Sequence, residues 1–305
     1  MTAGKTVKHL LEMIRFSHTL FALPFALLAA VMAWATPLPG GQPPDFQTRH
    51  LLGILVCMVC GRSAAMAFNR LADRYLDAAN PRTASRHLPA GILTVATVVG
   101  FTALAAAGFV AGTLLFLPNR LPLLLSIPAL LFLFAYSYTK RFTWLAHFWL
   151  GTALMLAPLG AWVALRGQHL LDAPADAWPA LVLGIGVALW VAGFDMIYAC
   201  QDASHDRQAC LHSVPARWGV PAALRLAAAC HAGMLLALAL LPFTSPQLTL
   251  GTLYLAAVAA VAMLLLYEHR IVRPDDLSRV NLAFFHVNWI ISLGLLILAT
   301  LDLLL

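Results

Sequence analysis

Residues 69 to 83 read Asn-Arg-Leu-Ala-Asp-Arg-Tyr-Leu-Asp-Ala-Ala-Asn-Pro-Arg-Thr, a dense polar segment in a chain that is otherwise mostly apolar. On an α-helix, the four-residue spacing of Asn69, Asp73 and Asp77 places all three side chains on one face over about 12 Å. Pro81 lacks a backbone N–H and disfavours helical geometry in the residue before it, so the helix is predicted to end near Asn80. The sequence therefore predicts a polar face close to a helix end.

The charges of this segment predict a metal site beside an anion site. Two carboxylates one helical turn apart repel each other unless a cation lies between them, which favours a divalent metal at Asp73 and Asp77. Four arginines flank these acids: Arg70, Arg74, Arg82 and Arg86. Their positive charge indicates an anion nearby.

The composition indicates an integral membrane protein. Of the 305 residues, 61% are hydrophobic and 10% are charged, and the mean hydropathy is +0.83, far outside the range of soluble globular domains. Apolar runs of about 20 residues cross a ~30 Å hydrocarbon core as helices, and no alternating pattern indicates a β-barrel. We therefore expect one all-α domain over residues 1–305. Its nine predicted spans are 18–35, 51–68, 93–117, 121–138, 144–165, 179–200, 221–241, 248–267 and 284–305.

The distribution of Lys and Arg predicts the orientation. One side of the nine-span arrangement receives the N-terminus and fifteen of these residues, whereas the other side receives three. By the positive-inside rule, the N-terminus and the motif loops 69–92 and 195–220 are expected to be cytoplasmic, in a multi-pass protein of the cell (inner) membrane. The net charge of +6 is thus explained by topology, and no nucleic-acid partner is expected.

The N-terminal segment admits two interpretations. Its basic residues before an apolar run could indicate a signal peptide ending at Ala35, but the run is long for such a segment. We prefer a first membrane helix, preceded by an amphipathic segment around Leu10 and Ile14 that suits a membrane surface.

A second acidic cluster, Asp195, Asp202 and Asp206, follows four predicted helices after the first. At 100° per residue, its members lie within about 40° of one another. This doubling predicts two four-helix pseudo-repeats plus a ninth helix, with the clusters facing each other across a central cavity. Acids at helix ends could simply be solvated or paired with arginine, but two aligned clusters favour Mg²⁺ ions that seat a diphosphate. Lys140 and Arg141 could complete the charge balance.

These residues resemble a known family. The pattern Asn69-Arg70-x-x-Asp73-x-x-x-Asp77-x-x-Asn80-Pro81-Arg82-Thr83, followed by Asp195-x6-Asp202-x3-Asp206, is similar to the UbiA superfamily of intramembrane aromatic prenyltransferases. The resemblance covers the whole chain. It implies Mg²⁺-dependent transfer of a polyprenyl group from its diphosphate to a small aromatic acceptor, within a cavity between membrane helices.

The second motif bears on the acceptor. Ala203, Ser204 and His205 follow Asp202, and His212 precedes Ser213. This version resembles the UbiA-like branch of menaquinone biosynthesis through futalosine, whose acceptor is 1,4-dihydroxy-6-naphthoate, more than the ubiquinone branch, whose acceptor is 4-hydroxybenzoate.

The resemblance implies roles for individual residues. The expected metal ligands are Asp73, Asp77, Asp202 and Asp206, with Asn69 as a further ligand or positioning group. The cations expected to stabilise the leaving diphosphate are Arg70, Arg82, Lys140 and Arg141. Asp195 or Asp202 is expected to orient or deprotonate the acceptor hydroxyl, although Asp195 has an equal alternative as support for the ligands.

Both candidate acceptors carry a carboxylate, so we expect a cationic side chain of the protein to bind it. Arg15 is the first candidate, with a position at the membrane interface as the alternative, and Arg62 is the second, because it lies inside a span. Tyr198 and His205 are expected to bind substrate by hydrogen bonds.

Two other functions remain open. A secondary transporter for an anion also predicts doubled helices and charges within the membrane, but its key groups would lie near the midplane. A UbiA-type prenyltransferase with a haem, chlorophyll or tocopherol type of acceptor would differ in acceptor size. The sequence leaves the oligomeric state open.

Overall fold

The computed structural model describes residues 3–14, 21–38 and 41–305. Regular secondary structure in these residues is helical, as the composition predicts. The α-helices are α1 (Ala3–Met13), α2 (Leu23–Ala35), α3 (Thr48–Ala72), α4 (Arg74–Ala79), α5 (Val95–Thr113), α6 (Leu121–Thr139), α7 (Ala146–Leu170), α8 (Trp178–Ala199), α9 (Ala203–Gln208), α10 (Val214–Trp218), α11 (Val220–Leu240), α12 (Thr252–Ile271), α13 (Val280–Leu282) and α14 (Asn288–Leu304).

The long apolar helices confirm the predicted polytopic fold. Eight segments of the described chain are long and apolar enough to cross a membrane, and α2 is a shorter apolar helix. A π-helical turn, Ala283–Val287, joins α13 to α14 within the last of these segments. Together the eight segments and α2 match the nine predicted spans, except that residues 18–20 of the first span lie outside the described residues.

The end of α7 differs from the prediction. A span ending at residue 165 was expected because Arg166 is charged, yet α7 continues to Leu170. Arg166 is fully buried and donates hydrogen bonds to Asp176 at 2.6 and 2.7 Å and to the carbonyl of Thr36 at 2.6 Å. Because its charge is paired, the residue lies inside the helix instead of marking its end.

Close helix packing brings α8 to the centre of the bundle. α8 packs against α7 and α11, and α2 packs against α7 and α14. Gly151 of α7 is required for this packing, because a Cβ atom there would lie 2.2 Å from the carbonyl oxygen of Ala188. Small residues at helix contacts are typical of membrane bundles. Residues at the carboxyl ends of α3 and α8 line the same cavity.

The two acidic clusters lie where helices are interrupted. α3 ends at Ala72 and α4 begins at Arg74, so the single continuous helix expected through Asp77 is wrong. Backbone hydrogen bonds still link Asp73 to Asn69 and Asp77 to Asp73, at 2.9 and 2.7 Å, so the four-residue spacing keeps its geometry. α4 ends at Ala79 and Asn80 is extended, as Pro81 predicts. In the second cluster, one 3₁₀ turn, Cys200–Asp202, separates α8 from α9.

The amphipathic helix α1 packs against the bundle. Leu10, Met13 and Ile14 are buried in one apolar cluster with Leu71 of α3 and Val98 of α5. Its apolar face therefore covers protein, whereas a membrane surface was expected. His9 and Glu12 of α1 lie beside His87, in the segment after α4.

Candidate functional site

Both acidic clusters line one cavity of about 280 Å³ at the same end of the bundle. Twelve of the predicted site residues lie on its wall: Asn69, Arg70, Asp73, Asp77, Arg82, Lys140, Arg141, Asp195, Tyr198, Asp202, His205 and Asp206. Arg62, the second candidate for the acceptor cation, also lies on this wall, and Arg15, the first candidate, lies outside the described residues. Two predicted clusters separated by more than 100 residues are thus brought together, and basic residues lie between them.

Asp73 is held by Asn69 of α3 and by Arg141, which follows α6. Its Oδ2 accepts a hydrogen bond from Nδ2 of Asn69 at 3.0 Å, and its Oδ1 accepts one from Nη2 of Arg141 at 3.2 Å. Arg141 also donates to the carbonyl of Ala72 at 2.7 Å. Burial raises the pKa of the Asp73 carboxyl; the hydrogen bond from Arg141 opposes this rise, and the neighbouring charge of Asp77 adds to it.

Asp77 is buried, and only one of its two carboxylate oxygens accepts a hydrogen bond in the described part of the chain. Its Oδ1 accepts a hydrogen bond from Nη1 of Arg86 at 2.6 Å. Its Oδ2 has no hydrogen-bond partner in the described part of the chain, and Nη1 of Arg70 is 3.9 Å away. Thr83 fixes the backbone by donating to the Asp77 carbonyl at 2.9 Å. A buried carboxylate oxygen without a partner is costly, and a bound cation would satisfy it.

The two acidic clusters fit Mg²⁺ ions that each bind only one or two carboxylates. Among the described residues, no three side chains of the two acidic clusters bring their ligand atoms within 4.8 Å of one another. A single ion held by three of these carboxylates does not fit this arrangement. Mg²⁺ ions that each take one or two carboxylates and complete their shells with phosphate oxygens and water do fit it.

Arg82 links the two clusters. Its Nε donates to Oδ1 of Asp202 at 2.7 Å, its Nη2 donates to Oδ2 of the same carboxylate, and its Nη1 donates to the Tyr198 hydroxyl at 3.2 Å. Burial alone would lower the pKa of Arg82, but the hydrogen bond and charge of Asp202 raise it. The guanidinium therefore stays charged at the centre of the site.

Asp206 and Lys140 also organise the surrounding loops. Oδ2 of the buried Asp206 accepts a hydrogen bond from the Ser213 hydroxyl at 2.9 Å, and Ser213 caps the first turn of α10. The Lys140 carbonyl accepts the backbone N–H of His212 at 2.7 Å. These contacts tie the loop after α6 to the loop after α9, and both side chains remain on the cavity wall.

Sequence reasoning missed His147. This histidine lies in α7, is fully buried, and approaches Asp195 with 2.6 Å between Nδ1 and Oδ2. Its Nε2 accepts the backbone N–H of Val214 at 3.3 Å. The available signal was a single polar residue inside an apolar segment, which does not reveal a partner 48 residues away.

Apolar side chains and a further arginine, Arg62, also line the cavity. Phe194 packs edge-on against Phe284 with ring centroids 5.2 Å apart, and both line the cavity. Arg62 of α3 lies on the same wall, and its buried Nε has no hydrogen-bond partner among the described residues. The site thus combines acids, arginines and an apolar interior.

Comparison with known proteins identifies the family. The model of the UbiA prenyltransferase family matches residues 16–289. The chain belongs to the UbiA prenyltransferase family. It is therefore a prenyltransferase and an integral multi-pass membrane protein, as the sequence motifs predicted.

Relatives and solved structures agree with this assignment. The chain is 30% identical to the 4-hydroxybenzoate octaprenyltransferase of Vibrio parahaemolyticus, over 80% of this chain and 84% of that protein. It is 32% identical to the 4-hydroxybenzoate octaprenyltransferase of Nitrosomonas europaea, over 78% of each.

The apo structure of a UbiA homolog from Aeropyrum pernix K1 matches with a TM-score of 0.79 and 29% identity, over 92% of this chain and 98% of that one. A UbiA homolog from Archaeoglobus fulgidus, solved with GPP and Mg²⁺, matches with a TM-score of 0.68 over 97% of this chain and all of that one. At 16% identity, this second likeness shows the fold alone.

Proposed function

We propose that this UbiA-family enzyme transfers a polyprenyl group from polyprenyl diphosphate to a small aromatic quinone precursor, with Mg²⁺ as cofactor. The observation that carries the proposal is the convergence of two acidic clusters and several cations on one cavity whose interior is apolar. Similarity to enzymes named 4-hydroxybenzoate octaprenyltransferases supports an aromatic acceptor.

The acids and Asn69 would hold Mg²⁺. We assign Asp73, Asp77, Asp202 and Asp206 as ligands, because they line the cavity and the Asp77 carboxylate has an oxygen that needs a cation. When bound, Mg²⁺ would neutralise the charge of the diphosphate and so make it a better leaving group.

The basic residues would hold the diphosphate. Arg70, Lys140 and Arg141 line the cavity beside the first cluster, and Arg82 lies beside the second. Donors placed where negative charge develops stabilise the transition state by about 3–4 kcal/mol for a well-placed group. The bidentate contact of Arg82 with Asp202 shows that its guanidinium reaches the space between the clusters.

Arg62 is the cation that best fits the acceptor carboxylate. It lies seven residues before Asn69 on α3, which corresponds to about 10 Å along the helix towards the apolar interior. No carboxylate of the described residues forms an ion pair with it, and its Nε is buried without a partner. A buried arginine needs an anion. A benzoate-type acceptor would supply one, close to the aromatic wall formed by Phe194 and Phe284.

Asp195 is proposed to orient and deprotonate the acceptor hydroxyl. It lines the cavity, and His147 holds its carboxylate from behind. Asp195 would accept the phenolic proton, which raises the electron density on the neighbouring ring carbon, and this carbon then bonds to the prenyl carbon as the carbon–oxygen bond to diphosphate breaks. The ring carbon next loses its hydrogen as a proton, the phenol oxygen regains a proton from Asp195, and the aromatic ring is restored as diphosphate leaves. His147 is a positioning residue in this scheme, whereas Tyr198 and His205 are proposed to contact substrate at the cavity edge.

The membrane setting follows the same reasoning. We place the enzyme in the cell (inner) membrane, with the N-terminus and the acidic loops in the cytoplasm, on the basis of the fifteen-to-three distribution of Lys and Arg. A transporter is disfavoured, because the acidic clusters lie at helix ends and helix interruptions and not within the middle of spans.

A product assay tests the function. Purified full-length enzyme in detergent would be incubated with polyprenyl diphosphate, Mg²⁺ and either 4-hydroxybenzoate or 1,4-dihydroxy-6-naphthoate, and prenylated product would be measured by mass spectrometry. Product that disappears with chelator and returns with Mg²⁺ is expected, and the preferred acceptor identifies the quinone pathway. Asp77→Asn should lose about 10²-fold or more of the turnover, whereas Asp275→Asn, on an exposed loop, should not. Folded enzyme that makes no product with either acceptor would refute the proposed substrate class.

A further inference from the structure

Three potential metal ligands meet outside the prenyl-transfer cavity. His9 and Glu12 lie one turn apart on α1, and His87 lies in the segment between α4 and α5. Their ligand atoms all lie within 4.8 Å of one another, and in the part of the chain that the structure describes no other group of His, Cys, Asp and Glu does this. None of the three lines the cavity.

The distances match a tetrahedral metal site. Oε2 of Glu12 lies 3.3 Å from Nδ1 of His9 and 3.5 Å from Nε2 of His87. A tetrahedral Zn²⁺ ion with ligands at about 2.0–2.2 Å separates neighbouring ligand atoms by about 3.4 Å. The carboxylate oxygen of Glu12 is therefore already at this spacing from one nitrogen of each imidazole.

The ligands are held in place by the surrounding structure. Lys8 approaches the other carboxylate oxygen of Glu12, with 3.8 Å between Nζ and Oε1, which leaves Oε2 directed at the two imidazoles. The His87 carbonyl accepts backbone N–H groups from Ile92 and Leu93 at 2.9 and 3.1 Å. Leu93 and Leu10 of α1 are buried in the same apolar cluster. The two elements that supply the ligands therefore pack against each other through apolar contacts.

We propose that His9, Glu12 and His87 form a binding site for a divalent transition metal of the Zn²⁺ class, with water as the fourth ligand. Two imidazoles favour such an ion over Mg²⁺, which prefers oxygen ligands. The site is therefore chemically distinct from the acidic clusters.

The bound ion would fasten α1 to the segment that carries the arginines of the cavity. His87 directly follows Arg86, whose guanidinium contacts Asp77 at 2.6 Å. An ion that joins His87 to α1 therefore restrains the backbone beside this contact. We assign the site a structural role in ordering residues 82–93.

Cobalt absorption tests the site directly. Full-length protein in detergent, with any polyhistidine tag removed, would be titrated with Co²⁺, whose tetrahedral complexes absorb strongly in the visible range. One equivalent should bind, Zn²⁺ should displace it, and a large excess of Mg²⁺ should not. His87→Gln and Glu12→Gln should each weaken binding by about tenfold or more. His169→Gln changes an exposed histidine at the end of α7 and should bind like the wild type.

A second measurement keeps the test independent of folding and of activity. The metal-free melting temperature of each variant should equal that of the wild type, which shows that lost binding is not lost structure. Hydrogen exchange should slow in residues 3–14 and 82–93 when Zn²⁺ binds the wild type, and should not change in His87→Gln. Absence of stoichiometric Co²⁺ binding, or undiminished binding in both ligand variants, would overturn the site. Binding without slower exchange would overturn its structural role.

Discussion

His147 and Asp195 form a buried pair in which the imidazole donates from Nδ1 to Oδ2 over 2.6 Å. The direction follows from the other ring nitrogen, because Nε2 accepts the backbone N–H of Val214 and so carries no proton. The ring is therefore the neutral Nδ1–H tautomer. Asp195 accepts this hydrogen bond through Oδ2, and the residue also lines the cavity.

Substitution of His147 should test this arrangement. His147→Asn keeps a donor near the position of Nδ1 and should retain most of the activity, whereas His147→Ala should lower kcat by about 10- to 100-fold. The loss should fall on kcat, with the KM for polyprenyl diphosphate within about twofold of the wild-type value, which distinguishes positioning from a loss of structure. An alanine variant with the kcat of the wild type would contradict the role of the pair.

Arg82 should be needed as arginine and not only as a positive charge. Arg82→Lys loses the planar two-point contact with Asp202, so the KM for polyprenyl diphosphate should rise about tenfold. The matched control is Arg74→Lys, because Arg74 lies over the Tyr75 ring at 4.4 Å and does not line the cavity. Steady-state kinetics with varied diphosphate measures both. If the two variants behave alike, the assignment of Arg82 to the diphosphate is wrong.

Arg62 should act on the acceptor alone. Arg62→Gln should raise the KM for 4-hydroxybenzoate by about 10- to 100-fold, which is the effect of losing a charged hydrogen bond of about 1.5–3 kcal/mol. The KM for polyprenyl diphosphate should stay within about twofold of the wild-type value. A phenolic acceptor without the carboxylate serves as the control, because wild type and variant should use it equally poorly. A similar loss with this acceptor would place Arg62 elsewhere in the reaction.

The contact between α7 and α8 should be intolerant of a single methyl group. In Gly151→Ala the new Cβ would meet the Ala188 carbonyl oxygen, so the free energy of unfolding should fall by about 1–3 kcal/mol. Gly160→Ala lies on the same helix, where no atom is within 4 Å of the new group, and should be neutral or stabilising. Thermal unfolding in detergent compares the two. If Gly151→Ala is as stable as the wild type, the close contact between α7 and α8 does not contribute to the free energy of unfolding.

The sequence predicts the fold and the acidic clusters for the same physical reason. Apolar spans are long because they must cross hydrocarbon, and charged residues are rare within them, so both features are readable from local composition. Arg166 is an exception. The helix was predicted to end before this charged residue, but α7 continues past it, because Asp176 and the carbonyl of Thr36 from other segments pair with its charge. Local composition does not contain such pairings.

Residues recruited through tertiary contact were the ones that sequence reasoning missed. His147 reaches Asp195 only because α7 packs closely on α8. The apolar face of α1 has the pattern of a membrane-surface helix, and only the three-dimensional structure reveals that α3 and α5 cover it. The sequence shows a polar residue in an apolar segment and an amphipathic helix, but only helix packing determines what each of them contacts.

The pairing of Arg82 with Asp202 also bears on how the enzyme is made. These residues are 120 positions apart in the chain, with α5, α6, α7 and α8 between them. At about 5–20 residues per second, a ribosome needs about 6–24 s to synthesise the intervening chain. During this interval the first acidic cluster exists without its partner residues. A nascent chain therefore cannot form the contact of Arg82 with Asp202, or complete the cavity that both clusters line, until α8 and the turn after it have been synthesised.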